Sequence, residues 1–205
     1  MSSNNTSIII VNYGTPKLCV DSLSSLYLDP TSRNSIAKTI VIDNKSKDNS
    51  VSLIASAISQ NNWTDSVSIV PNKLNSGFSA GNNVGILSSN SEYVLLLNSD
   101  TIVWPGAVEL LVKVLDENPK SGMASPRLEW PDGTPQESCF RFHRPINELI
   151  RSAASGPITK LFKRYEVPLS VSDKTSSPEW TSFACVLIRR KVFEDIGLLD
   201  EEFFM

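Results

Sequence analysis

The sequence predicts an α/β protein: a mainly parallel sheet flanked by helices, with a smaller mixed or antiparallel part toward the C-terminus. Three observations predict it. Short β-branched apolar runs alternate with segments of helical period through the first half, as in βαβ units. The strands of such units run parallel with right-handed crossovers. Beyond Pro119 the rhythm is lost, and turn-rich, Pro-containing sequence takes over until a further apolar run near the end.

The elements follow in order. "SIIIVNY", Ser7 to Tyr13, reads as a first strand, and "KLCVDSLSSLYL" carries Leu18, Leu23 and Leu26 at roughly helical spacing. "KTIVIDN" is a second strand. "SVSLIASAIS" places Val51, Ile54 and Ile58 on one helical face. "SVSIVPN" is a third strand, "NSGFSAGNNVGILSS" a Gly-rich turn entering a helix, and "EYVLLLN" a fourth strand. "PGAVELLVKVLDENP" is a helix with Val108, Leu111, Val112 and Leu115 on one face, Pro105 near its start and Pro119 past its end. "GMASPRLEWPDGTPQES" predicts a short strand, a Pro-Asp-Gly turn and a return. Arg141 to Pro178 lacks a clean period and reads as a surface excursion with a short helix near Asn147 to Ala154. "EWTSFACVLIRR" is a strand, and "RKVFEDIG" a short helix ended by Gly197.

Composition narrows the function. The 205 residues suffice for one sizeable core, and the net charge of −3 lacks the basic excess of a dedicated nucleic-acid binder. No apolar run approaches the ~20 residues of a membrane span, and "MSSNNTS" has neither a basic nor an apolar signal region. Cys19, Cys139 and Cys185 are odd in number and lack CxxC spacing. They predict buried reduced thiols and a cytoplasmic protein. His143 is the sole histidine, so a His-based zinc site or catalytic triad is not expected.

In an open parallel sheet, ligands bind beyond the carboxyl ends of the strands. Here those ends are Asn12-Tyr13-Gly14, Asp43-Asn44-Lys45-Ser46, Asn72 with the Gly-rich turn, and Asn98-Ser99-Asp100. Asp43 suits hydrogen bonds from a base or ribose, or the capping of its own turn. Asp100 suits a hard divalent cation, which typically takes one or two carboxylates plus substrate phosphates. Its plain alternative, N-capping the helix near Pro105, fits poorly across four intervening residues. The turn Asn75 to Asn83 is neither a P-loop nor GxGxxG, so an ATPase or a dinucleotide-dependent dehydrogenase is not supported.

Taken together, "IIIVNYGT", "VIDNKSKDNS", "NSGFSAGNNVGI", "LLLNSDTIVWPGAVELL" and "WTSFACVLIRRKVFEDIGLLDEEFFM" resemble the family 2 glycosyltransferases, especially their rhamnosyltransferase-like branch. The resemblance implies a Rossmann-like GT-A fold in one domain, 1–205, with a nucleotide-binding half at 1–104 and an acceptor-side half at 105–205. It implies inverting, metal-dependent transfer of a sugar, rhamnose on this branch, to a saccharide or lipid-linked acceptor in polysaccharide synthesis. The donor would be dTDP-rhamnose or a UDP-sugar, and the cofactor Mg²⁺ or Mn²⁺. Peripheral association with the inner face of the plasma membrane would accord with such an acceptor. Asn12 and Tyr13 would line the base pocket, and Asp43 would bind the base. Asn75, Gly77, Phe78, Gly81 and Asn83 would shape the donor site. Asp100 would be the catalytic metal-binding Asp of a DXD-like motif, with Asn98 at the degenerate first position. Trp180, followed by Thr181 to Ala184, would border the acceptor side, and Arg141 lies in a segment that varies with acceptor.

The family places its general base in a Glu-Asp pair after the block corresponding to "GLLDEEFFM", so the expectation is a fragment whose base lies beyond Met205. Asp195, Asp200, Glu201 and Glu202 do not match that pair. A nucleotide-sugar-binding module without catalysis is the alternative from another class. A nucleotidyltransferase is a third, poorly served by the single Gly and Lys of "NYGTPKLC".

Overall fold

The computed structural model describes residues 5–145, 147, 167–172 and 174–204. They form two compact units: Met1–Pro126 with Phe183–Met205, and Arg127–Ser182.

The first unit is a six-stranded sheet. Strands β1 (Thr6–Asn12), β2 (Ile36–Asp43), β3 (Val67–Pro71) and β4 (Tyr93–Asn98) are joined by α1 (Pro16–Tyr27), α2 (Pro30–Ser35), α3 (Ser50–Gln60) and α4 (Gly77–Leu87). Helix α5 (Ala107–Glu117) and β5 (Met123–Ala124) follow β4. Of the two strands β6 (Cys139–Phe140) and β7 (Trp180–Thr181), which pair in the second unit, neither belongs to this sheet. The chain returns to it as β8 (Cys185–Arg189) and α6 (Arg190–Ile196).

The spatial order is β3-β2-β1-β4-β8-β5. The first four strands are parallel, and β8 is antiparallel to both β4 and β5. The expected parallel sheet is therefore present, with an antiparallel edge. Parallel strands are covered on both faces, which is why β1 and β4 are apolar without alternation. One face packs Ile9, Ile40, Ile42, Leu96 and Ile188 against Ile86 of α4, with Val192 and Phe193 of α6 joining. Elsewhere in the core, α1, α3 and α5 bury Leu23, Leu26, Ile54, Val108 and Leu115.

Two sequence expectations needed adjusting. Helix α2 was not expected, because "PTSRNS" has no apolar period and its six residues are too few to show one. Cys19 and Cys185 are buried free thiols as expected, but Cys139 is only half-buried. The Gly197 stop of α6 is present.

In the second unit the Pro-Asp-Gly turn forms as expected. Gly133 N–H donates to the Trp130 carbonyl at 2.8 Å, and Trp130 N–H to the Thr134 carbonyl at 2.8 Å. Gly133 has φ +82°, the left-handed residue that a three-residue hairpin loop requires. The Phe140 and Trp180 rings stack with centroids 4.1 Å apart. Most of the helix expected at Asn147 to Ala154 lies outside the described residues.

Candidate functional site at the carboxyl edge of the sheet

Parallel register brings the strand ends together. Asn12 pairs with Asp43, Val11 with Asn98, and Asp43 with Pro71. The antiparallel β8 begins at the same edge. Asn98 N–H donates to the Ala184 carbonyl at 2.9 Å, so Ala184 lies beside the end of β4.

Asp43 is the centre of a closed hydrogen-bond set. Its Oδ1 accepts from Asn12 Nδ2 at 2.9 Å and from Ser46 Oγ at 2.6 Å, and its Oδ2 accepts from the Ser46 N–H at 3.0 Å. Asp43 is only 2% exposed and Asn12 fully buried. A buried carboxylate is tolerated when several donors satisfy it. Oδ2 retains capacity for a further donor. Asn12 is wholly occupied: its amide serves Asp43, and its carbonyl accepts from Thr15 Oγ1 at 3.1 Å. Cys19, in α1, feels this charge. Burial first, and then the Asp43 carboxylate, push its thiol up to about 12. Tyr13, next after Asn12, is an exposed aromatic at this edge.

A second set links the ends of β2 and β3 to α4. Buried Asn44 donates through Nδ2 to Asn75 Oδ1 at 2.8 Å and to the Gly77 carbonyl at 2.9 Å, and its own carbonyl accepts from Asn72 Nδ2 at 3.1 Å. Asn75 Oδ1 also accepts the Gly77 N–H at 3.1 Å. Asn44 was not singled out in the sequence. Its position after Asp43, with an asparagine at each of the four parallel strand ends, was the available signal.

The glycines of α4 set how closely it approaches the sheet. A Cβ on Gly85 would lie 2.4 Å from Ile9 Cγ2, and one on Gly81 would lie 3.0 Å from Val11 Cγ1. Gly77 instead faces the C-terminal segment, where its Cβ would stand 2.0 Å from the Phe204 carbonyl oxygen. Phe78 N–H donates to that same oxygen at 2.8 Å. Asn83 also turns to this segment, bonding Leu199 and Glu201.

Asp100 is exposed and makes no hydrogen bond or ion pair among the described residues. It follows half-buried Asn98 and Ser99, whose hydroxyl lies 3.0 Å from that of Thr15. No group of three or more His, Cys, Asp or Glu placed to hold a metal occurs among the described residues. Any ion here would be held by Asp100 with neutral oxygens, such as the Asn98 side-chain carbonyl, and by the ligand. Hard cations take such oxygen donors, so the donor set fits Mg²⁺ or Mn²⁺.

Trp180 and Arg141 belong to the second unit. Trp180 Nε1 donates to the Arg141 carbonyl at 3.0 Å, and Arg141 N–H to the Val167 carbonyl at 2.8 Å. Trp180 is 44% exposed over Phe140. No helix among the described residues is long and apolar enough to cross a membrane.

Among known proteins, the chain is 28% identical over 209 aligned positions to the low-salt glycan biosynthesis hexosyltransferase Agl10 of Haloferax volcanii, covering 98% of this chain and 58% of that protein. It is 26% identical over 119 residues to the N-acetylglucosaminyl-diphospho-decaprenol L-rhamnosyltransferase of Mycobacterium tuberculosis, covering 56% of this chain and 38% of that one. The chain thus spans well under two thirds of the length of these relatives. Among solved structures, the mannosyltransferase PcManGT of Pyrobaculum calidifontis, in complex with GDP-Man and Mn²⁺, superimposes with TM-score 0.63 at 16% identity, over 98% of this chain and 48% of that one. TarS 1-349 of S. aureus does so with TM-score 0.61 at 17% identity, over 98% and 52%. These neighbours share the GT-A fold. The family model for glycosyl transferase family 2 matches residues 7–197, so the chain belongs to that family.

Proposed function

We propose that this chain is the donor-binding part of a metal-dependent, inverting glycosyltransferase that moves a sugar from a nucleoside diphosphate to a saccharide or lipid-linked acceptor. The carrying observation is the contrast between two strand-end carboxylates on one edge. Asp43 is buried and held by three hydrogen bonds, whereas Asp100 is exposed and engaged by none among the described residues. A fixed, buried carboxylate with one remaining acceptor position suits recognition of a nucleobase or ribose donor group. Tyr13 offers the base an exposed aromatic face at the same edge. The free carboxylate of Asp100, with the Asn98 carbonyl, would hold Mg²⁺ or Mn²⁺. When bound, the ion supplies Lewis-acid stabilisation to the departing diphosphate.

Donor and acceptor identity rest on the relatives. One is named a rhamnosyltransferase of a diphospho-decaprenol acceptor, and the structural neighbours were solved with GDP-Man, UDP or UDP-GlcNAc. We infer a rhamnosyl donor, a lipid-linked acceptor with peripheral membrane contact, and an acceptor-side role for Trp180 and Arg141. The acceptor hydroxyl needs a positioned carboxylate to take its proton.

One observation favours binding without transfer. Asp195 pairs with Lys191, Asp200 Oδ1 accepts from the Glu202 N–H, and Glu201 is bonded to Asn83. Three of the five carboxylates between Glu194 and Glu202 are thus engaged.

The deciding experiment is calorimetric titration with dTDP, UDP and GDP, with and without Mn²⁺, followed by assay of nucleoside diphosphate release from the sugar nucleotides. Metal-enhanced binding that is lost in Asp100→Ala is expected. Equal binding by wild type and Asp100→Ala, with and without metal, would remove the metal role.

A further inference from the structure

We infer that Asn83 and Gly77 are positioning residues: they hold the Leu199–Phe204 segment against α4 at the carboxyl edge of the sheet and do not touch the nucleotide sugar. The consequence for turnover rests on the proposed glycosyl transfer; the placement of the segment does not.

Asn83 is 3% exposed and bonds both backbone groups of one residue, Leu199. Its Oδ1 accepts the Leu199 N–H at 3.0 Å, and its Nδ2 donates to the Leu199 carbonyl at 2.8 Å and to Glu201 Oε1 at 2.8 Å. Both amide hydrogens are spent. The side chain acts toward Leu199 as a neighbouring strand would, across 116 residues of sequence.

Gly77 makes room for the other end of the segment. With φ +89° and the Phe204 carbonyl 2.0 Å from the Cβ position, only glycine fits. Two N–H groups of the first turn of α4 are engaged as a result. Its Gly77 N–H goes to Asn75 Oδ1 and its Phe78 N–H to the Phe204 carbonyl. Helix N-termini often receive phosphates, but here a chain carbonyl takes that place. The Gly77 carbonyl in turn accepts from Asn44, the residue after Asp43. The segment is therefore fastened to the frame that holds the buried carboxylate.

The fastening is polar. Asp200 to Phe204 are exposed, with Phe203 and Phe204 at 69% and 62%, and Leu199 alone packs on the core. A segment with little buried apolar area opens locally once its pins are removed. Misplacement at a site edge costs turnover before it costs binding.

The test uses Asn83→Ala in the full chain. Amide hydrogen exchange at Leu199 and Phe78 should quicken by about tenfold or more, while Ile10 and Val41 keep their protection. Affinities for dTDP and UDP with Mn²⁺ should stay within about twofold. With a sugar nucleotide that the wild type turns over, kcat should fall about tenfold at a donor KM within about twofold. Glu201→Ala removes one of the three Asn83 bonds from the surface and should quicken Leu199 exchange by a smaller factor, which keeps the test alive if Asn83→Ala does not fold. Unchanged exchange at Leu199 in the variants overturns the inference. So does an Asn83→Ala nucleotide affinity weakened about tenfold, the mark of a direct donor contact. If the wild type neither binds dTDP or UDP nor turns over a sugar nucleotide, the functional proposal fails, and the exchange measurement alone decides the inference.

Discussion

Asn12 Nδ2 lies 2.9 Å from Asp43 Oδ1, across neighbouring parallel strands and with both side chains out of solvent. An amide faces the carboxylate here because two acidic groups could not both be charged at that distance in a buried place. Asn12→Asp should therefore cost about 3 kcal/mol at pH 7. Urea unfolding of the variant beside the wild type at pH 7 measures the loss; a variant as stable as the wild type would contradict it.

The glycines of α4 are graded by space. Gly85→Ala puts a methyl 2.4 Å from Ile9 Cγ2 and 2.7 Å from its Cδ1, atoms of a packed core. Gly81→Ala meets Val11 at 3.0 and 3.1 Å. Overpacking of this kind costs about 1–3 kcal/mol. Gly85→Ala should lie at the upper end and Gly81→Ala below it, in thermal unfolding of the two variants side by side.

Alkaline pH should loosen the fold. Burial raises Cys19 and Cys185 from an ordinary 9.0 to about 12, with the Asp43 charge adding to the rise at Cys19. Tyr27 rises from 10.0 to about 12, again chiefly by burial. In each case the neutral form is favoured when folded. Stability is therefore fully present below about pH 9 and declines as the unfolded chain ionises, by about 1.4 kcal/mol per pH unit for each thiol until the folded group titrates near 12. Denaturation midpoints between about pH 8 and 11 measure the slope, and replacing both thiols with Ala should flatten it. Native alkylation should label half-buried Cys139 ahead of the other two.

Asp100→Ala should leave stability within about 0.5 kcal/mol of wild type, because the carboxylate is exposed and bonded to nothing among the described residues. A large drop in melting temperature would show that it supports the fold, and would weaken the reading of Asp100 as a ligand-facing group.

Much of the fold was legible because βαβ units write themselves into periodicity. The runs ending at Asn12, Asp43, Pro71 and Asn98 were visible as strands, and α5 was framed by its prolines. Strand direction was not visible. A five-residue buried run such as Cys185–Arg189 looks alike whether it enters parallel or antiparallel. The convergence of Asn12, Asp43 and Asn98 followed from the parallel rule. The partners of Asn83 and Gly77 did not, since a contact across more than a hundred residues leaves no local pattern. Only the folded chain shows Asn75 to Asn83 divided three ways, among the sheet, the Asn44 amide set and the C-terminal segment.

Gly77, Gly81 and Gly85 recur every four residues along one face of α4, over Phe204, Val11 and Ile9. A helix seated on its missing side chains has a single resting depth. Anything that lifts it at Ile9 lifts the far end too, where Asn83 and Phe78 hold the C-terminal segment. A packing change in the middle of the sheet would thus be felt as a displacement at its edge. The tolerance of the edge is then inherited from the fit of Ile9 and Val11 under the helix.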